Sequence, residues 1–312
     1  MYKRQGYGRW QGLAVTRWRE DPTCDDWGSY IYLRDVETGR VWSAGLQPSG
    51  HAPDEYDVAF GEDRAEFARR DGTLTTVAGS VIRTENGSDL TVDSGFTNSG
   101  LIEITPGDSG FSVLRVTSGT LMNAAGGKIQ VIGENGFAQL GAELDNRGTL
   151  TLGHDLTLSR EEALHSNSGT ITLSGGNLTV SQFGELPSFT NTGTIAIGAD
   201  YTLTFNGGSL LHQAGSIGGA GTLSLESNAA TFDVATLPTS LSMTSSTLSY
   251  PGAITTATTA ITITDSTLAN AGLLTNAAGK TLSIIRSRIT GAVQNKGTIS
   301  ANGASFLDGP CD

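Results

Sequence analysis

A five-residue phrase, Asn-x-Gly-Thr followed by Leu or Ile, restricts the fold of this chain more than any other feature. It stands at Asn146-Arg147-Gly148-Thr149-Leu150, Asn167-Ser168-Gly169-Thr170-Ile171, Asn191-Thr192-Gly193-Thr194-Ile195 and Asn295-Lys296-Gly297-Thr298-Ile299. Looser copies begin at Asn98, Asn123, Asn270 and Asn276, and Gly221-Thr222-Leu223 keeps the core of it. From Asn98 to Asn191 the anchors lie 25, 23, 21 and 24 residues apart, and Asn276 stands 19 before Asn295. Self-similarity at such a period is the mark of a solenoid. Asn and Gly are the residues that most easily enter positive φ, so the phrase reads as turn chemistry. The expected structural turns are therefore Asn98, Asn146 with Gly148, Asn167 with Gly169, Asn191 with Gly193, and Asn295 with Gly297.

After each turn the pattern alternates with period two. Thr149-Leu150-Thr151-Leu152 sets both Leu on one face, and Ile171 with Leu173, Leu178 with Val180, Ile195 with Ile197, and Leu203 with Phe205 repeat it. These are half-buried strands of about five residues. No helical pattern of three or more turns follows residue 74. A lone unit cannot close its own core, because ordering each residue costs roughly 1–2 kcal/mol and a buried Leu or Ile returns only about 1.5–3 kcal/mol. Stacking resolves the deficit: strands pair at about 4.8 Å, aliphatics share one interior and Asn side chains ladder at the turns. Residues 74–312 at roughly 22 per coil give on the order of ten coils, a rod about 50 Å long. The expected fold is all-β, a parallel, right-handed β-helix. An antiparallel sandwich of hairpins is the rival, and the spacing is too long for it.

Composition divides the chain near Gly72. All four Trp and five of the seven Tyr precede it, in a segment with ten Lys or Arg and thirteen Asp or Glu. The rest carries nine and eighteen, and the whole chain is −12. So acidic a balance argues against nucleic-acid binding, which needs a positive face. No apolar run reaches the length of a membrane span, and no signal peptide is visible. Cys24 and Cys311 fall in different segments and suggest neither a disulfide framework nor a zinc site.

Within residues 6–73, Trp27 to Asp35 alternates as a strand, Glu37-Thr38-Gly39-Arg40 turns, and Val41-Trp42-Ser43-Ala44 returns, which predicts a hairpin. Tyr56–Phe60 is a further strand, and Glu62–Arg70 is a short helix or a strand by propensity. The run Gly8-Arg9-Trp10, Leu13 through Pro22, Asp25-Asp26-Trp27-Gly28, Ile31 to Asp35, Val41-Trp42-Ser43 and Glu62 to Phe67 resembles the N-terminal sandwich of the family of cyclic β-1,2-glucan synthases and cellobiose or chitobiose phosphorylases. It covers about 68 of the 312 residues. The resemblance implies a strand for Glu62–Arg70. It supplies no catalytic residue, since that family's catalytic groups lie in a separate helical barrel that nothing here resembles.

Met1-Tyr2-Lys3-Arg4-Gln5 reads as the translation of a sequencing adapter, which makes the chain a metagenomic-type fragment of three parts: residues 1–5, 6–73 and 74–312. The join near Gly72 is then a real fusion or a chimeric assembly, and the adapter-like start favours the chimera. The repeats of residues 74–312 resemble bacterial autotransporter passengers and filamentous-haemagglutinin-type adhesins in composition and period.

Candidate chemistry is sparse. Gly107-Asp108-Ser109-Gly110 resembles a serine-protease nucleophile loop, but His51 is the only upstream His, and repeat units on both sides make it a corner loop. Arg286, Arg288 and Lys280 could form a basic patch as in β-helical polysaccharide lyases, yet only Asp265 lies near, so a solvated face is the expectation. Ser159-Arg160-Glu161-Glu162 reads as a one-turn helical insertion whose acids face solvent. His154, His165 and His212 lack a second ligand at metal spacing and read as surface or corner residues. No catalytic residue, metal site or cofactor is expected. Trp10, Trp18, Trp27, Tyr30, Tyr32 and Trp42 could stack on sugar rings, though core packing suits them better in so short a segment.

The function expected is that of a non-catalytic, extracellular or cell-surface bacterial β-solenoid of adhesin or passenger type, with carbohydrate or cell-surface ligands as partners. The alternatives are a carbohydrate-active or carbohydrate-binding protein, and a chimera without one function.

Overall fold

The computed structural model describes three N-terminal strands and then residues 74–309 apart from Asn86, Asp108 and Ser109. The expected strands at Tyr56–Phe60 and Glu62–Arg70 lie outside the described residues, as do His51, Cys24 and Cys311. From residue 74 onward the chain is a β-solenoid of about 11 turns, close to the number the period predicts. Every strand pairing within the coils is parallel, as between Thr149–Leu152 and Thr170–Leu173, Leu156–Ser159 and Leu178–Ser181, and Leu164–Asn167 and Ser188–Asn191. The antiparallel rival is excluded. No helix occurs among the described residues, and Glu161-Glu162 form a turn with Glu162 at φ 54°, not the one-turn helix expected.

Each coil presents three faces. In the coil from Leu156 the first face is Leu156–Ser159, the second Leu164–Asn167 and the third Thr170–Leu173. In the early coils a single bent strand, such as Phe111–Asn123 or Phe137–Asn146, serves both of the first two faces. The third face runs through Ser216–Gly219 and is re-formed further on by Ile254–Thr255, Leu274–Asn276 and Val293–Asn295.

Alternation places one residue of each pair inward, and identical coil positions then superpose into columns. On the third face Ile82, Ile102, Ile129, Leu150, Ile171, Ile195 and Ile217 follow one another in register, all buried. The first face contributes Leu158, Val180, Phe205, Leu225, Met243, Ile263 and Ile284. Together they make one dry interior along the axis. Burial of this apolar surface is what drives the stack, at roughly 25 cal/mol per Å².

The N-terminal strands β1 (Trp10–Arg19), β2 (Trp27–Asp35) and β3 (Val41–Leu46) form two successive antiparallel pairs, which includes the hairpin expected from the sequence. β1 also pairs in parallel with Val81–Glu85, Leu13 opposite Ile82 and Val15 opposite Thr84. The third face therefore continues into β1–β3 as one sheet of ten strands.

Candidate functional site

The corners carry nearly all the distinctive side chains. Where the second face turns into the third, Asn98, Asn123, Asn146, Asn167 and Asn191 lie buried in one column. Each amide donates to the next: Nδ2 to Oδ1 distances are 2.8 Å from Asn98 to Asn123, and 2.7 Å from Asn123 to Asn146, Asn146 to Asn167 and Asn167 to Asn191. The second amide proton goes to a backbone carbonyl, as from Asn123 to Thr149 O at 3.2 Å and from Asn146 to Thr170 O at 3.3 Å. A buried amide satisfied on every side is stable there, and one left unmatched is costly.

In each copy of the phrase the Asn is the last residue of a strand and the Gly follows at the corner, but positive φ is not the reason for these residues. None of these asparagines has positive φ, and neither do Gly148, Gly169, Gly193 or Gly297. The glycines are needed for close approach: a Cβ on Gly169 would stand 2.1 Å from Gly148 O, and one on Gly193 would stand 2.2 Å from Gly169 O. Asn295 and Gly297 lie at a different corner, between the third face and the first, where Asn276 donates to Asn295 at 2.8 Å. Asn270 stays in the first column, but its register neighbour in the preceding coil is Tyr250.

Two of the three histidines read as surface or corner residues are buried, His212 at a corner and His165 within a face. His212 takes the position after Asn191 in the ladder. Its Nδ1 accepts from Asn191 Nδ2 at 3.0 Å, which leaves Nε2–H to donate to Thr236 Oγ1 at 2.7 Å. Phe232 meets it edge-on at 4.9 Å, and Tyr250 follows at 5.9 Å, so the amide column becomes an aromatic one. Desolvation lowers the His212 pKa and raises that of Tyr250. His165 sits in the aliphatic column of the second face, between Leu144 and Phe189. Its Nδ1 accepts the Leu144 N–H at 3.2 Å and its Nε2 has no partner. Burial lowers its pKa to about 4, against the opposing pull of Glu143. Both rings are components of the solenoid wall, and burial favours the neutral form of each. His154, half-buried with its ring beside Asp155 O, is the corner residue expected.

A second ladder, not anticipated from the sequence, occupies the corner between the first and second faces. Ser227, Ser245, Asp265 and Arg286 are left-handed at φ 51°, 51°, 49° and 46°. The serine after each of the last three is buried, and its hydroxyl accepts the backbone N–H one coil below: Asn228 N to Ser246 Oγ, Ser246 N to Ser266 Oγ and Ser266 N to Ser287 Oγ, each 3.0 Å. Those hydroxyls donate back to Thr244 O, Thr264 O and Ile285 O. The signal was present in Thr244-Ser245-Ser246-Thr247-Leu248 and Thr264-Asp265-Ser266-Thr267-Leu268.

Outward from this ladder lies an open groove of about 390 Å³ lined by Asp265, Arg286, Arg288 and Phe306 among others. Arg286 grips Asp265 through two hydrogen bonds of 2.6 Å, which hold the Asp265 carboxyl below its ordinary range. Arg288 pairs with Asp308 at 3.0 Å and lies 5.6 Å from the Phe306 ring centre. Arg286 and Arg288, two of the three cations weighed as a basic patch, are thus each paired with a carboxylate on an exposed surface, and Lys280 does not line the groove. Asp108 and Ser109, of the expected corner loop, lie outside the described residues. No cluster of groups that could hold a metal ion occurs among the described residues, and no helix there is long and apolar enough to cross a membrane.

Of the six aromatic residues, Trp10 and Trp18 fall on β1, Trp27, Tyr30 and Tyr32 on β2, and Trp42 on β3. Pairing sets Tyr30 opposite Thr16, Tyr32 opposite Ala14 and Trp18 opposite Gly28, one alternating set of positions. Trp27 opposite Arg19 and Trp42 opposite Leu33 belong to the other. The register does not gather all six into one row.

The fold defines a β-solenoid protein whose first coil is extended by an antiparallel β segment. Residues 4–88 match the glycosyl hydrolase 94 supersandwich domain. A stretch of 82 residues is 46% identical to the cyclic beta-(1,2)-glucan synthase NdvB of Rhizobium meliloti (strain 1021). That stretch is 26% of this chain and 3% of the synthase, so the chain spans a small part of this relative. The family match begins at Arg4, inside the five residues read as adapter, and runs past Gly72 through Val81–Glu85. The matched part is the supersandwich and includes no catalytic domain. No solved structure matches the chain.

Proposed function

We propose that the solenoid acts as a non-catalytic, extracellular display rod of the adhesin or autotransporter-passenger type, joined to a fragment of a glucan-synthase supersandwich. The observation that supports this reading is the wall itself. Its buried polar groups, from the asparagine ladder to His212, are spent on holding coil to coil, while the outward columns are mostly hydroxyl residues such as Thr157, Thr179 and Thr204. A rod so built presents surface at a distance and needs no cleft. The test is protease shaving of intact cells that express the gene from its native locus, together with binding of the purified chain to fixed cells. Release of the chain and saturable cell binding are expected; a protease-protected chain that binds nothing overturns the reading.

A carbohydrate-binding role has one specific observation in its favour, the half-exposed Phe306 beside paired Arg and Asp side chains in the Asp265–Arg288 groove. A glycan array decides it: retention of a β-glucan that is lost on Phe306→Ala supports the groove, and an empty array removes it. The join is proposed to be an assembly chimera of two genes, because the composition changes abruptly near Gly72 and the family match stops at residue 88 within the first coils. Single long reads across the codons for residues 70–91 test this, and an unbroken native locus overturns it.

A further inference from the structure

One corner departs from the regular stack, and it does so in two successive coils. Between the first and second faces the chain inserts Arg160-Glu161-Glu162-Ala163 in one coil and Gln182 to Pro187 in the next. The two insertions are built on each other: Glu162 N–H donates to Phe183 O at 2.9 Å, and Ser188 N–H to Ala163 O at 3.1 Å. Their base is fixed as well. Gln182 N–H bonds Asn206 O, its side chain bonds Ser209 O at 3.2 Å, and Pro187 O accepts from Ser209 at 3.1 Å. On this rigid base three large apolar side chains point to solvent: Leu164 is 60% exposed, Phe183 47% and Leu186 91%. Leu186 is held at φ 52°, a left-handed conformation that this chain also uses at other corners, and here it fixes the direction of a large apolar side chain. Exposed Glu161, Glu162 and Glu185 belong to the same two insertions, the first two with their side chains beside Gly184, while Arg160 is engaged with the Gly119 carbonyl and Glu143 with Thr120 and Leu164 N–H.

We propose that this corner is a docking knob for a partner protein that offers an apolar pocket rimmed by Lys and Arg. Insertions in a solenoid gather on its binding side, and contiguous exposed apolar groups beside charged ones mark interaction sites. The acidic residues of the insertions select the occupant. A second copy of this chain, at net charge −12, would bring like charge against it, and an anionic lipid surface would do the same. The proposal rests on the solenoid fold and not on the display reading above.

The test uses the full chain and three synthetic peptides of equal length: an amphipathic leucine–lysine peptide, an all-lysine peptide and a leucine–serine peptide. Fluorescence anisotropy gives the affinity and amide exchange maps the contact. The leucine–lysine peptide is expected to bind at least tenfold tighter than either control and to protect residues 160–188. Phe183→Ser with Leu186→Ser, and separately the isosteric set Glu161→Gln, Glu162→Gln and Glu185→Gln, should each weaken it about tenfold. Equal binding of the all-lysine peptide, protection elsewhere, or parent-like binding by both variants overturns the proposal. So does self-association through this corner, or uptake by neutral lipid vesicles in place of the peptide.

Discussion

Asn167 shows how one side chain serves three coils. Its amide accepts from Asn146 and donates to Asn191, so truncation orphans a donor below and an acceptor above. Asn167→Ala should cost about 1–3 kcal/mol, the penalty for leaving buried polar groups unmatched. Exposed Thr194→Ala should stay within about 0.5 kcal/mol, as measured by denaturant unfolding. Gly169→Ala tests the close-approach argument: its Cβ would collide with the Gly148 carbonyl, whereas one on Gly218 meets nothing within 4 Å. The first variant should be clearly destabilised and Gly218→Ala close to neutral; equal effects would refute close approach as the reason for glycine. His165 supplies a pH dependence. Its folded pKa, about 4, lies below the ordinary 6.5, so in that window the unfolded chain binds more protons and stability rises with pH. Its contribution is fully present above pH 6.5 and is lost as pH falls toward 4, about 3 kcal/mol in all. His212, shifted in the same direction, adds to the slope. Unfolding titrations of His165→Leu should show a flatter curve across that window, whatever the variant does to stability at neutral pH.

At the scale of the strand and its corner, Ser266→Ala removes an acceptor for Ser246 N–H and a donor to Thr264 O. It should cost about 1–3 kcal/mol, while exposed Thr262→Ala on the adjoining strand should be nearly neutral by thermal denaturation. This contrast explains which corners could be read in advance. The asparagine corner was legible because Asn and Gly are both unusual within a strand pattern and recur together. The serine corner was not, since Ser is also the ordinary outward residue, and alternation alone cannot tell an inward hydroxyl from an outward one. His212 and Asn270 mark the same limit from the other side. The column stays continuous in space while its residues change from amide to imidazole to aromatic rings, so the phrase fades where the structure persists. By position Asn295 belonged to the phrase, yet it ends a strand of the third face and so lies at the corner that leads into the first. The apolar knob at Leu164, Phe183 and Leu186 could not be foreseen, as alternation assigns no depth to residues in an insertion.

For the whole molecule, stability is a chain of nearest-neighbour contacts, and a coil is as secure as the coils on each side of it. Val81–Glu85 has a partner strand on both edges, β1 on one side and Leu101–Thr105 on the other. Thr298–Asn302 pairs along one edge with Thr281–Ile285, and its residues are mostly exposed. Native-state amide exchange should therefore be slowest in the coils from Leu150 to Leu225, fastest in Thr298–Asp308, and slow again at Val81–Glu85. The third value is the informative one. A parallel stack leaves a row of unpaired N–H and C=O groups on its terminal strand, and an antiparallel segment laid along that edge is a means of covering it. The family match that runs from residue 4 to residue 88 includes both the covering strands and the strand they cover. If Ile82 and Thr84 exchange as fast as Ile299 and Ala301, β1 does not seat on the solenoid in solution. If they are protected to the level of the second coil, the supersandwich fragment acts as the rod's cap.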